Sequence, residues 1–454
     1  MRRRSPKAEA LTLDKRRHCS ICPKSQDLPS GQSSVISVTE LAGAESAQAA
    51  AAAATGNAWS GTSARPFSLP FAESERSTVG IEWELALIDE DSGALRQAAP
   101  AVVAAIGDQG PRPHIHQEFM KNTVELVSGV CRTVGEAGAD LSVSAGKLRA
   151  AADPMRVGLM GAGTHPFSPW YAQKITDKER YHTVIEKAQM MARQVMIFGV
   201  HTHVGIESRD KVMPLINALL VYQPHLLALS ASSPFWRRID TGYASMRSII
   251  FQQLPTSGVP YQFENWAQLE QYASDLLSTG TISAFDEIRW DIRPSLRYGT
   301  IETRVCDSIS NLQELLALNA LTHCLVEYLS TRIDQGLPLP ALPPWFIAEN
   351  KWRAARYGLD AAVITSSAGA QVPIREHIRE LVAELAPTAD RLDCVEELAF
   401  VPEILTIGAS YERQRRVHSA TLAAGGTEPE AFEAVVSHLA AEMRADRPLR
   451  VTTS

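Results

Sequence analysis

The sequence predicts an α+β protein built on an antiparallel sheet. Three observations lead there. Four segments alternate apolar and polar residues as half-buried strands do: residues 78–89, 122–127, 199–207 and 299–307. Longer stretches carry apolar residues at helical spacing. Strands and helices do not follow one another as regular βαβ units, which argues against a parallel, doubly wound sheet.

In chain order, 78–89 (TVGIEWELALID) is dense in β-branched and aromatic residues, and Asp91-Ser92-Gly93 turns the chain after it. Residues 122–127 (NTVELV) repeat the alternation, and a helix follows over about 135–151. The GLMGAG stretch at 158–163 does not fit dinucleotide-binding spacing and reads as a loop. A helix over 177–196 is predicted from a capping box, Thr176 with Glu179, and an apolar stripe at Tyr181, Val184, Ile185, Ala188, Ala192 and Val195. Strand alternation returns in GVHTHVGIE (199–207) and GTIETRVCD (299–307). A second capping box, Ser310 with Gln313, opens a long helix over 310–331, and the C-terminal part is mostly helical, at 373–386 and Glu428–Ala445. Without internal repeats or a linker after residue 76, one large domain over 76–454 is expected.

The 454 residues are 45% hydrophobic and 21% charged, which excludes collagen-like, coiled-coil and wholly disordered chains. A chain of this length buries a core without disulfides. Six cysteines, with Cys131, Cys306, Cys324 and Cys394 standing alone, give no disulfide framework and fit a reducing cytoplasm. No run approaches the roughly 18 consecutive apolar residues of a membrane span, and the net charge of −7 argues against nucleic acid; neither is expected as a partner. Residues 1–75 differ in composition: nine Lys/Arg against seven Asp/Glu leave the remainder at about −9. This Ser/Ala/Gly-rich segment reads as a disordered tail or an over-extended gene start. Glu9, Asp14 and Lys15 stand where a signal peptide would be apolar, and the CxxC of Cys19 and Cys22 lacks a second ligand pair.

The strands carry polar residues two apart. Glu82 and Glu84 share one strand face, roughly 6.5–7 Å apart, while Ile81, Trp83 and Leu85 face a core. Such a carboxylate pair is a solvated face or a cation site. His201 and His203 repeat the geometry, as zinc ligands, a proton-transfer or phosphate-contacting pair, or a structural pair. Glu302 and Arg304 do so with opposite charges, as in a surface salt bridge. Glu125 faces away from Val124 and Leu126, and Glu118 lies seven residues before it. If these faces share one sheet, they line a cavity with Glu82, Glu84, Glu118, Glu125, Glu302 and the histidines. Five carboxylates there need hard cations, and oxygen-rich, cysteine-free ligation selects Mg²⁺ or Mn²⁺ over zinc. With Arg247, Arg293, Arg297 and Arg304 nearby, that is what a nucleoside triphosphate requires; the sequence has no GxxxxGK[ST] P-loop to hold one.

The ordered series GIEWEL, VELVSGVC, GAGTHPF (161–167), HTHVGI, ASMRS around Arg247, GTIETRVCD and ENKWRAARYGLD (349–360) resembles the type 2 glutamate–cysteine ligase family of bacterial ATP-dependent carboxylate–amine ligases, over residues 77–445. The resemblance implies a glutamine-synthetase-like catalytic fold, in which a curved, largely antiparallel sheet forms a funnel with helices outside. It implies ATP and metal ions in the funnel. Glu82, Glu84, Glu118, Glu125, His201 and Glu302 match metal-binding positions, and Arg247 and Arg304 match phosphate-contacting ones; His201 is also expected among the catalytic groups, and Arg297, from its place among the nearby arginines, as a further nucleotide contact. His203 departs from the wider group, which commonly has an amide there. The implied reaction is phosphoryl transfer to a carboxylate, then attack by an amine, joining the γ-carboxyl of glutamate to cysteine or a different acid and amine. Family members are often homo-oligomers. Two other readings stand beside this one: a zinc-dependent hydrolase on His201/His203, and a non-catalytic nucleotide-binding protein of the same fold. The stretches 235–243 and 255–264 are candidate walls for substrate selection.

Overall fold

Seven antiparallel strands position everything that follows. They are β1 (Val79–Asp89), β2 (Ile115–Gln117), β3 (Thr123–Val127), β4 (Val157–Met160), β5 (Gly199–Gly205), β6 (Ile292–Ser295) and β7 (Thr300–Asp307). Their order is β6-β7-β5-β1-β3-β2, and β4 pairs with the far end of β1. The computed structural model describes residues 67–110 and 114–451. Helices and an antiparallel sheet within one chain segment make this an α+β fold, as the patterning predicts.

The apolar face of the sheet is closed to water. Ile81, Trp83, Leu85, Val124, Leu126, Val200, Val204 and Ile301 are buried and belong to one core. Helices Val134–Ala152, Arg209–Ser230 and Leu312–Asp334 cover them. Polar groups on that face are paired: Trp83 Nε1 donates to the Ile309 carbonyl at 3.0 Å, and Thr202 Oγ1 donates to Asn319 Oδ1 at 2.7 Å. These bonds key β1 and β5 to the segments beneath them.

Several elements differ from the sequence expectation. The strand Val157–Met160 takes the first half of the stretch expected as a loop, its small glycine packing under Ile88. The helix expected over 177–196 runs Glu179–Arg193, with non-helical backbone at Gln189. Its N-cap is Lys178, because the Thr176 hydroxyl donates to the Glu118 carbonyl at 2.6 Å. The long helix starts after Asn311, whose side chain caps Glu314 N, while the Ser310 hydroxyl is spent on Glu442. The patterning assigned no element to Arg209–Ser230, which contains Pro214 and Pro224 yet is helical throughout. It is the one described helix long and apolar enough to cross a membrane, and 83% of that window is buried in the core.

Packing begins ten residues before Ser77, at Phe67, the start of a compact unit that holds the rest of the described residues. Leu69 is buried, Phe71 meets Trp266 edge-on, and Ala72 N and Ser74 N donate to Leu296 and Ile206 carbonyls. This strap requires Gly299 (φ +64), since a side chain there would collide with the Ala72 carbonyl. The expected tail therefore loses its last nine residues to the fold; the remainder, with Cys19 and Cys22, lies outside the described residues. Cys324 and Cys394, solitary in sequence, meet as buried thiols with sulfurs 3.6 Å apart.

The C-terminal helices Ser410–Ala423 and Glu428–Ala445 are tied to the core helix by a buried ion triad. Arg413, 1% exposed, binds Glu442 at 2.7 Å and Glu314 at 2.6 Å. Removing one member strands the opposite charges. Arg413→Ala is therefore expected to cost about 3–5 kcal/mol, read as a lower urea midpoint, whereas Arg450→Ala, at an exposed pair with Glu403, leaves the midpoint in place.

Candidate active site

Register alignment places the polar residues in rows across the other sheet face. Glu82 of β1 stands opposite His201 of β5, and Glu84 opposite Glu125 of β3, which stands opposite His116 of β2. Glu302 of β7 stands opposite His203 on one side and Arg293 on the other. Antiparallel partners share a face, so residues from six strands converge. Glu82, Glu84, His116, Glu125, His201 and Arg293 line a cavity of about 770 Å³ with Glu118 and Arg304, while His203 and Glu302 lie buried beside it. A second chamber of about 180 Å³ opens beside it, sharing Glu84, Glu118, His201 and Arg304 and adding Arg247.

Within this face, potential ligand atoms of Glu82, Glu125 and His201 lie within 4.8 Å of one another, as do those of Glu82, His203 and Glu302. Glu82 belongs to both groups. His201 Nδ1 donates to Glu82 Oε2 at 2.8 Å, and His203 Nε2 lies 3.3 Å from Glu82 Oε1. Glu302 is held by Arg293 at 2.7 Å and by Arg304. Glu84 accepts from Gly199 N, and Glu118 from Phe119 N. Glu84 and Glu118 thus share the cavity without entering either close group. His203 enters one, although the resemblance leaves it aside.

Burial and charge divide the carboxylates into two populations. Burial alone would raise Glu82 and Glu302, but hydrogen bonds from His201 and His203 hold Glu82 well below the usual range, and Arg304 and Arg293 do the same for Glu302. Glu84 is pushed up to about 7 by burial and by Glu118. Burial and neighbouring carboxylates push Glu125 well above the ordinary value, and burial raises Glu118. His201 falls to about 4, through burial and the Arg304 charge. This donor set is hard, oxygen-rich, crowded with negative charge and free of cysteine, which fits Mg²⁺ or Mn²⁺.

The arginines are placed by the backbone. β7 carries a bulge between Thr303 and Cys306. Bulges re-aim side chains. Arg304 N donates to the Asp291 carbonyl at 2.7 Å, and its guanidinium enters the cavity. The carbonyls of Arg304 and Val305 accept from the Arg247 guanidinium at 3.3 Å. Gly199 makes this approach possible, since a Cβ there would overlap the Arg247 guanidinium. Asp307, buried, accepts from Ser233 Oγ at 2.6 Å and Ser245 Oγ at 2.7 Å, and Ser233 Oγ accepts from Arg247 N at 3.0 Å.

Arg297 is a correction. It sits exposed in the turn after β6, its guanidinium 5.5 Å from the Tyr298 ring centre, and it lines neither chamber. Its spacing from Arg293 would share a face only if the strand continued, and the strand ends at Ser295. Of the proposed walls, Pro255 and Thr256 line the cavity, and no residue of 235–243 does. The sequence reading missed Arg289, which lines both chambers, and Lys178, Arg180 and Lys187, which overhang the larger one. Their signal was a basic face on the helix of 179–193, whose orientation toward the sheet no local pattern states.

A profile of the glutamate–cysteine ligase family 2 (GCS2) matches residues 78–438. The chain belongs to this family. A relative in Leifsonia xyli subsp. xyli, named "Putative glutamate--cysteine ligase 2", is 51% identical over 378 residues, 83% of this chain and 98% of that one. One of the same name in Mycobacterium ulcerans is 52% identical over 349 residues, covering 77% and 88%. Among solved structures, the glutamate–cysteine ligase of Francisella tularensis in complex with AMP is similar with a TM-score of 0.60 at 12% identity, covering 83% of this chain and 90% of that one. A bifunctional glutathione synthetase of Pasteurella multocida gives 0.56 at 14%, covering 81% and 52%. The fold is thus the expected glutamine-synthetase-like one, and the protein is a carbon–nitrogen ligase of the glutamate–cysteine ligase type.

One family motif serves structure. His165 of GAGTHPF is buried outside both chambers; its Nε2 meets the Gly93 carbonyl at 2.9 Å, and its Nδ1 accepts from Ser168 N at 3.0 Å. That pattern needs a neutral ring with the proton on Nε2. Burial lowers its pKa from 6.5 to about 4. Between these values the unfolded chain binds a proton that the native one refuses, so stability is full above pH 6.5 and falls as pH drops toward 4, by up to roughly 3 kcal/mol. Urea unfolding of His165→Gln between pH 7 and 4 should show a correspondingly shallower loss. At the site itself, Glu125→Gln relieves carboxylate crowding. The metal-free variant is expected to melt about 1–3 °C higher than wild type and to gain less from added Mg²⁺ in calorimetry.

Proposed function

We propose that the compact unit beginning at Phe67 is an ATP-dependent carboxylate–amine ligase that joins the γ-carboxyl of glutamate to the amine of cysteine, or a different acid and amine, and releases ADP and phosphate. The observation that supports the reading is the meeting of Glu82, Glu84, Glu125 and His201 with Arg304 at one cavity, with Glu302 grouped against Glu82 and His203 and with Arg247 in the adjoining chamber. The complex of the Francisella ligase with AMP supports a nucleotide in a fold of this kind.

A carboxylate does not condense with an amine in neutral water, so its oxygen must first become a leaving group. The acid oxygen takes the γ-phosphoryl group of ATP, giving an acyl phosphate and ADP. The amine nitrogen then attacks the carbonyl carbon, the carbon–oxygen bond to phosphate breaks, and the nitrogen loses a proton. Glu82, Glu84, Glu118, Glu125, His201 and Glu302 would hold Mg²⁺ or Mn²⁺, which supplies neutralisation of the triphosphate charge. Arg304 and Arg247 stabilise charge on the moving phosphoryl group; the Arg247 guanidinium is fixed by main-chain carbonyls and that of Arg304 by Glu302, so they need little reorganisation. The remaining work is positioning. Four buried, unbridged thiols among the described residues accord with a cytoplasmic enzyme.

Glu84→Gln and Arg304→Ala are each expected to lower ADP release with glutamate and cysteine by about 100-fold or more, while Arg297→Ala stays near wild type. Unfolding midpoints serve as the control for folding. Full turnover in either site variant would refute the assignment. Chelation should abolish turnover and Mg²⁺ restore it; stoichiometric zinc with ATP-independent hydrolysis would favour the hydrolase on His201 and His203 instead.

A further inference from the structure

The smaller chamber has two unlike walls. Val184, Val195, Ile197, Phe251 and Leu254 form one of them. They belong to an apolar cluster separate from the main core, and most of its side chains are only half-buried. The rest of the lining carries Glu84 and Glu118 with Arg247, Arg289 and Arg304, and the Arg247 guanidinium stands over the Phe251 ring, 5.7 Å from its centre. Arg247 is 3% exposed, and its Nε is buried without a hydrogen-bond partner. Arg289 and Arg304 line the same chamber, so an anionic group there would meet guanidinium donors.

At about 180 Å³ the chamber is smaller than the roughly 300–1,000 Å³ of sites for drug-sized ligands, whereas the adjoining 770 Å³ is of that size. A nucleotide belongs in the larger space, beside the grouped carboxylates. A single amino acid suits the smaller one. Its carboxylate would face Arg289, its amine the larger chamber that shares this arginine, and its side chain the apolar wall.

Resting on the ligase reading, we infer that this chamber binds the amine substrate, and that the substrate is an α-amino acid with a branched aliphatic, thioether or aromatic side chain larger than that of cysteine. A small thiol would leave most of the five apolar side chains uncovered. One methylene in such a pocket discriminates roughly 10–200-fold, so the preference is measurable.

The test uses the full-length enzyme with Mg-ATP and glutamate, and offers alanine, cysteine, valine, leucine, methionine and phenylalanine in turn. ADP release and product mass are read, and calorimetric titration gives the affinity for each amino acid. Leucine-class amines are expected to exceed alanine and cysteine at least about 10-fold in kcat/KM and in affinity. Val195→Phe fills the chamber and should lower the leucine-to-alanine ratio about 10-fold; Val184→Phe is the second variant should the first unfold. A preference for cysteine that neither variant alters would overturn the inference and leave the ligase reading standing. Loss of ATP affinity in the variants with no change in amino-acid order would also overturn it, since the chamber would then hold the base. Absence of ADP with every pair would count against the ligase reading, and the affinity order alone would then decide the chamber.

Discussion

The rest of the structure depends on mutual repulsion among carboxylates held on one face of one sheet. Glu82, Glu84, Glu118 and Glu125 are drawn into a cavity where water screens them poorly, and Glu302 lies buried against Glu82 and His203. The protein offsets part of that charge itself, through His201 and His203 on Glu82 and through Arg293 and Arg304 on Glu302. It leaves Glu125, Glu118 and Glu84 facing one another with raised proton affinity. A face built for stability alone would not keep that arrangement, because a buried like-charge cluster weakens the native state until a cation joins it.

What tolerates the repulsion is the opposite face. The same period of two that aims Glu82 and Glu84 at the cavity aims Ile81, Trp83 and Leu85 into the core, beneath three long helices. The bulge in β7 then breaks the period once, where Arg304 enters the cavity and its carbonyl receives Arg247. Gly199 leaves room for that second arginine, and Asp307 orders the serines around it. Scaffold and chemistry therefore use the same strands, divided by face.

The sheet and most of the carboxylate site were legible because alternation is a local property: ExE, HxH and ExR each declare a face within three residues. The condition that those faces coincide was not local, and it is met by the cross-strand register of β1 with β3 and β5. Where the sequence reading failed, a tertiary partner had outbid a local rule. Thr176 and Ser310 look like caps but give their hydroxyls to Glu118 and Glu442. Pro214 and Pro224 mask a helix that core packing sustains. Arg297 lies two residues beyond the point where its strand ends. Arg289 and the basic face of the helix over 179–193 belong to the site only because of how distant segments dock.

The central claim is that acidic side chains of separate strands form one divalent-cation and nucleotide site. Electron paramagnetic resonance titration of the protein with Mn²⁺, with and without a non-hydrolysable ATP analogue, tests it directly. The account predicts saturable Mn²⁺ binding that tightens when the analogue is present and is lost in Glu82→Gln, since Glu82 belongs to both ligand groups. Mn²⁺ that does not saturate, or that binds equally well to Glu82→Gln, would contradict it.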